Sequence, residues 1–145
     1  MADAGSFTET TGFLLHRLGV GVDRVIERTL APLDLRGREL RVLALLGSDV
    51  RSQAELVALS GLDRTTMVAV IDRLEELGLV ERRPDPADRR KRAVVATSVG
   101  AARLTDAGRL LDQAEADFLE PLTARQQGDL NALLRKLFAV RRPEC

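Results

Sequence analysis

Between Ser52 and Gly78 the chain carries its own punctuation, and that punctuation admits few arrangements. Ser52-Gln53-Ala54-Glu55 is a capping box, in which the serine oxygen and the glutamate side chain each satisfy a backbone donor left open by the first helical turn. A short helix therefore starts at Gln53, carries Leu56, Val57 and Leu59, and ends at Gly61. Asp63 caps a second helix with Met67, Val70, Ile71, Leu74 and Leu77 on one stripe, and Gly78 stops it. Short helix, glycine-containing turn and longer helix make a helix-turn-helix.

A hairpin comes directly after it. Leu79-Val80-Glu81-Arg82-Arg83 and Arg92-Ala93-Val94-Val95-Ala96 read as two short strands, and Pro84-Asp85-Pro86-Ala87-Asp88 between them cannot be helical. Alternation along the first strand turns Arg82 and Arg83 to opposite faces. The hairpin is also the electrostatic anomaly of the chain. Overall the sequence balances 22 basic against 22 acidic residues, yet residues 82–92 hold six basic and two acidic ones. Residues 1–35, in contrast, hold three basic and five acidic.

The flanks are helical. An amphipathic helix is predicted over residues 6–30, with Leu14, Leu18, Val22, Val25 and Ile26 at spacings of three and four, stopped by Pro32. A second runs from Gly37 to Leu46. After the hairpin, Thr97 or Ser98 opens a long helix to about Phe118, and Pro121 breaks it. Thr123-Ala124-Arg125-Gln126 is another capping box, which opens a last helix bearing Leu130, Leu133, Leu134, Leu137 and Phe138. The fold class is mostly α with a small β-hairpin wing: a winged helix-turn-helix over residues 35–97, and a helical lobe built from residues 6–33 and 98–141.

Composition removes several functions. With one histidine, His16, and one cysteine, Cys145, a single chain cannot assemble a Cys/His zinc cluster, and no cofactor is called for. No serine in a sharp strand-to-helix turn accompanies His16, so a hydrolase triad has no basis and the chain does not read as an enzyme. Tryptophan and tyrosine are absent and phenylalanine occurs four times, which argues against stacking on single-stranded bases. No apolar run approaches the roughly 20 residues of a membrane span, and no secretory leader is evident, so a cytoplasmic protein is expected.

Asp63-Arg64-Thr65-Thr66-Met67, Ile71-Asp72-Arg73-Leu74-Glu75, Gly78-Leu79-Val80-Glu81-Arg82 and Asp85-Pro86-Ala87-Asp88-Arg89-Arg90 together resemble the MarR family of bacterial transcription regulators. The order of elements is similar over the whole chain, residues 1–145, as one domain. The resemblance implies a recognition helix from Asp63 to Leu77. Its outward residues Arg64, Thr65, Thr66 and Val68 then meet bases or phosphates in the major groove, with Arg73 as a phosphate contact or the partner of Asp72 or Glu76. It also implies a DNA-binding wing in which Asp88 shapes the tip, Arg89, Arg90 and Arg92 contact the DNA, and one of Arg89 and Arg90 enters the minor groove. One of the two tip arginines is expected to pair back to Asp88.

The function this implies is a homodimeric regulator of double-stranded, pseudo-palindromic operator DNA, a repressor more often than an activator, with affinity lowered by a small aromatic or anionic effector. The flanking helices supply the dimer interface. The effector is expected where the first two helices meet the long helix after the wing, lined by Phe13, Leu14, His16 and Arg17. Cys145, a terminal thiol, is not expected to sense peroxide. The alternative is a winged helix used for docking other proteins, without specific DNA binding.

Overall fold

The computed structural model describes residues 4–141, with side chains from Ser6 onward. Among them the elements run α1 (Ala4–Phe7), α2 (Thr11–Leu30), a 3₁₀ turn (Ala31–Leu33), α3 (Gly37–Leu46), β1 (Arg51–Ser52), α4 (Gln53–Ser60), α5 (Arg64–Glu76), β2 (Val80–Pro84), β3 (Arg92–Ala96), α6 (Ser98–Phe118) and α7 (Ala124–Arg141). The fold is mostly α with one small antiparallel sheet. Cys145 lies outside the described residues.

Two features depart from the sequence expectation. The first helix is broken: α2 starts only at Thr11, because Thr10 turns its hydroxyl oxygen to the Phe13 N–H at 3.3 Å and caps a new helix. The sheet has three strands in the order β1-β3-β2, not two. Residues 51–52 are too few for a period-two pattern, but Arg51 and Ser52 pair with Val94 and Ala93. The hairpin itself aligns Val80 with Ala96 and Arg82 with Val94.

The caps do what their sequences dictate. Ser52 Oγ accepts from Glu55 N–H at 3.1 Å while Glu55 accepts from Ser52 N–H, and the same exchange joins Thr123 and Gln126. Gly78, at φ +69°, supplies the left-handed residue that ends α5 and turns the chain into β2.

One core gathers the middle of the chain. Leu30, Val42, Leu43, Leu46, Leu56, Met67, Ile71, Leu74 and Leu79 are fully buried in it, and Ala107 brings α6 to the same cluster. Each such leucine or isoleucine contributes about 1.5–3 kcal/mol by leaving water. In α7 no residue is buried. Its Leu133, Leu134, Leu137, Phe138 and Val140 are exposed.

The joint between sheet and α6 is tight. Thr97 donates its hydroxyl to Gly78 O at 2.7 Å and its N–H to Leu79 O at 3.0 Å, and its hydroxyl oxygen caps Gly100 N–H. A Cβ on Gly100 would run into the Leu79 carbonyl oxygen, a backbone atom that cannot swing aside. Gly100→Ala is expected to destabilise the fold by about 1–3 kcal/mol, read as a lower denaturant midpoint. Gly108→Ala, in the same helix with open space around it, is the control and is expected to leave that midpoint unchanged or slightly raised.

Candidate nucleic-acid interface

α5 is the element on which the site depends. Its inner stripe, Met67, Val70, Ile71 and Leu74, is buried, and this fixes the rotation of the helix about its own axis. Arg64, Thr65, Val68 and Ala69 consequently face solvent. Thr66 is placed otherwise than expected. Its hydroxyl donates to Asp63 Oδ2 at 2.6 Å and its N–H to Asp63 Oδ1 at 2.8 Å, so its one side-chain proton serves the cap and not a groove. Those two bonds hold the Asp63 carboxyl below the usual carboxylate range, the side-chain bond being the larger cause.

Arg73 has neither of the partners expected from the sequence. Its guanidinium meets Asp34, just after the 3₁₀ turn, at 2.8 Å. Proximity along the helix favoured Asp72 or Glu76, but the fold delivers a carboxylate from 39 residues away. Arg82 is likewise engaged. Its guanidinium lies between Asp72 and Glu75, and its backbone N–H donates to Glu75 at 3.2 Å. These carboxylates raise its pKa further against the opposing effect of burial. Asp72 and Glu75 stand three residues apart on one helical face, and β2 runs past that face, so one arginine ties the wing to the recognition helix. That clamp went unseen in the sequence because its acids and its arginine belong to different elements. Arg83, on the other face of the strand, pairs with Glu81.

The wing tip is shaped by backbone bonds. Asp88 Oδ1 accepts from Arg90 N–H at 3.1 Å, Asp88 O from Lys91 N–H at 2.9 Å, and Asp85 Oδ1 from Ala87 N–H at 2.8 Å. Asp88 therefore does shape the tip, but through a main-chain donor. Neither Arg89 nor Arg90 pairs its guanidinium with it, which corrects that expectation. Arg89, Arg90, Lys91 and Arg92 are exposed, and among the described residues none of their side-chain cations has an acidic partner.

A cleft of about 740 Å³ opens between α2, α3 and α6. Ile26, Leu40, Ala44 and Leu111 give it apolar walls, and Arg36, Arg38 and Arg41 stand with Asp23 and Glu27 around it. It lies further along α2 than expected. None of Phe13, Leu14, His16 and Arg17 lines it: the last three are exposed, and Phe13 packs edge-on against Phe7 with ring centroids 5.5 Å apart. The cleft's α2 wall is Asp23, Ile26 and Glu27, in the second half of that helix. Among the described residues no group of three or more His, Cys, Asp or Glu could hold a metal ion.

A recognition helix with one buried stripe, a short helix before it and a basic hairpin after it define a winged helix-turn-helix protein of the DNA-binding type. Comparison with known proteins makes the class specific. The model of the MarR family matches residues 33–91. The multiple antibiotic resistance protein MarR of Escherichia coli is 30% identical over 128 residues, covering 87% of this chain and 89% of that protein. CouR from Rhodococcus jostii, solved bound to p-coumaroyl-CoA, superposes with a TM-score of 0.79 at 33% identity, with 94% of each chain covered. A point mutant of E. coli MarR complexed with operator DNA superposes with a TM-score of 0.78 at 28% identity, over 94% and 99% of the two chains. The chain belongs to the MarR family of transcription regulators.

The Asp63 cap has a pH signature. Because its folded pKa is lowered, the carboxylate contributes stability that is complete above the range of a free aspartate and fades as pH falls through the lower folded value. Asp63→Asn is therefore expected to unfold at lower temperature than the wild type at pH 7, with the gap between them closing below about pH 4. Thermal unfolding at pH 7 and pH 3 checks this, and a gap that is no narrower at pH 3 than at pH 7 contradicts it.

Proposed function

We propose that the chain is a homodimeric repressor that binds operator DNA in the cytoplasm through α5 and the wing, without catalysis, and is released by a small anionic aromatic effector. The observation that carries the DNA reading is the contrast among cations. Arg51, Arg73, Arg82 and Arg83 are each held by an acid, whereas Arg89, Arg90, Lys91 and Arg92 stand exposed and unpaired on the hairpin that Arg82 ties to α5. Unpaired cations on a rigid hairpin suit phosphates and the narrow minor groove. Arg64, Thr65 and Val68 are then the groove-facing residues, with Thr66 confined to the cap.

The division into a DNA-binding lobe (residues 35–97) and a helical dimer lobe (residues 6–33 and 98–141) is supported by the unburied apolar surface. Leu14, Leu15 and Leu18 of α2, Phe118 of α6, and Leu133, Leu134, Leu137, Phe138 and Val140 of α7 are exposed large hydrophobics. Such a concentration of apolar side chains at both ends of the chain fits a two-fold contact with a second copy. Two recognition helices could then enter successive major grooves, about 34–36 Å apart.

The cleft supplies the effector reading. Its apolar walls suit an aromatic ring and its arginines an anionic group, and the similar CouR was solved with a ligand that has both. A ligand that favours another spacing of the recognition helices weakens DNA binding.

Three measurements test this. Arg90→Ala is expected to weaken binding to a duplex selected from a random pool by about 1–3 kcal/mol and to reduce the salt slope by about one, with Arg89→Ala as the rival assignment. A flat salt dependence in the wild type contradicts phosphate binding and favours the protein-docking alternative. Leu137→Glu is expected to give monomers in sedimentation and to lose operator binding, and a dimer that survives it places the interface elsewhere. Salicylate and p-coumaroyl-CoA are the effector probes: one of them is expected to lower DNA affinity by about 5–150-fold, with Arg38→Ala abolishing the response. DNA release that survives Arg38→Ala while His16→Ala removes it returns the pocket to the first half of α2.

A further inference from the structure

Resting on that DNA-binding reading, we propose that Asp34 and Arg73 form a latch between the helical lobe and the recognition helix, and that Arg73 positions α5 and does not contact DNA. Asp34 ends the 3₁₀ turn after α2, in a left-handed conformation at φ +52°. Non-glycine residues enter that region at a cost, and aspartate is among the few that do so readily. The turn is held from several sides. Asp34 N–H donates to Ala31 O at 3.0 Å, and Arg103 of α6 donates to the Leu33 carbonyl at 2.5 Å. Glu27 of α2 accepts the Gly37 N–H at 2.9 Å just beyond it. This braced turn then presents one carboxylate, and Arg73 on α5 takes it at 2.8 Å.

The connection spans the molecule. Arg103 and Glu27 belong to the helices of the dimer lobe, and Arg73 belongs to the last turn of the recognition helix. A change in the tilt of α2 against α6 therefore reaches α5 through Leu33 and Asp34, as well as through the shared core. The cleft touches the same turn, since Glu27, Arg36 and Gly37 are among its walls. The carboxylate is 70% exposed and the guanidinium 40%, so each bridge is modest. A dimer carries two, and both bear on the spacing of the recognition helices.

The sign of a charge effect separates this role from a phosphate contact. The probe is the duplex selected by the wild-type dimer, and its affinity is measured for Asp34→Asn, Asp34→Gly, Arg73→Ala and the exchange Asp34→Lys with Arg73→Glu. Asp34→Gly removes the carboxylate without backbone strain, which guards against a variant that simply fails to fold. The latch predicts that each single variant binds about threefold to tenfold more weakly, and that the exchange recovers most of the loss although it puts an acid on α5. If Arg73 instead meets a phosphate, removing Asp34 frees it: Asp34→Asn and Asp34→Gly then tighten binding, Arg73→Ala weakens it, and the exchange is the weakest of all. That pattern overturns the latch alone, as does unchanged affinity in all four. A wild-type protein that selects no duplex overturns the DNA-binding reading, and the latch with it.

Discussion

The burial of Met67, Val70, Ile71 and Leu74 in one core with Val42, Leu43, Leu46 and Leu56 is the contact from which the rest of the molecule takes its geometry. A helix of 13 residues is marginal on its own, so α5 exists because this stripe is packed. The same packing sets its rotation, and rotation decides which side chains can reach a groove. Arg64, Thr65 and Val68 face outward because Met67, Val70, Ile71 and Leu74 face inward, with a period near 3.6.

Electrostatics then divides the arginines into two kinds. Asp72, Glu75 and Glu76 would give the second half of α5 an acidic surface, unfavourable beside a polyanion. Arg82 answers two of these carboxylates and in doing so fixes the wing against the helix. At the tip the arrangement is reversed: Asp85 and Asp88 spend their oxygens on main-chain N–H groups, and the basic side chains around them stay unpaired. One hairpin thus holds a structural arginine at its base and available cations at its end.

The ends of the chain obey another logic. α6 is anchored at its start by Gly100 against Leu79 and at its middle by Ala107 and Leu111, whereas its Leu110 and Phe118 are exposed. With α7 and the first half of α2 they form surfaces that the fold of one chain leaves open. A rigid joint at Thr97 and Gly100 means that whatever fixes the far end of α6 also bears on the direction of the wing and α5.

Much of this was legible in the sequence. The caps at Ser52, Asp63, Thr97 and Thr123, the stop at Gly78 and the hairpin around Pro84 and Pro86 are local signals, because each depends on backbone donors and torsions within a few residues. The inward stripe of α5 and the basic tip were readable for the same reason. The third strand, the partners of Arg73 and Arg82, the role of Thr66 and the position of the cleft were not. A two-residue strand has no period, and an ion pair between Asp34 and Arg73 joins side chains that only folding brings together. Local chemistry along the chain was enough to say where most elements begin and end and which face of each is apolar. Which charges cancel and which remain free was settled by folding, because that depends on distances through space between elements remote in the chain.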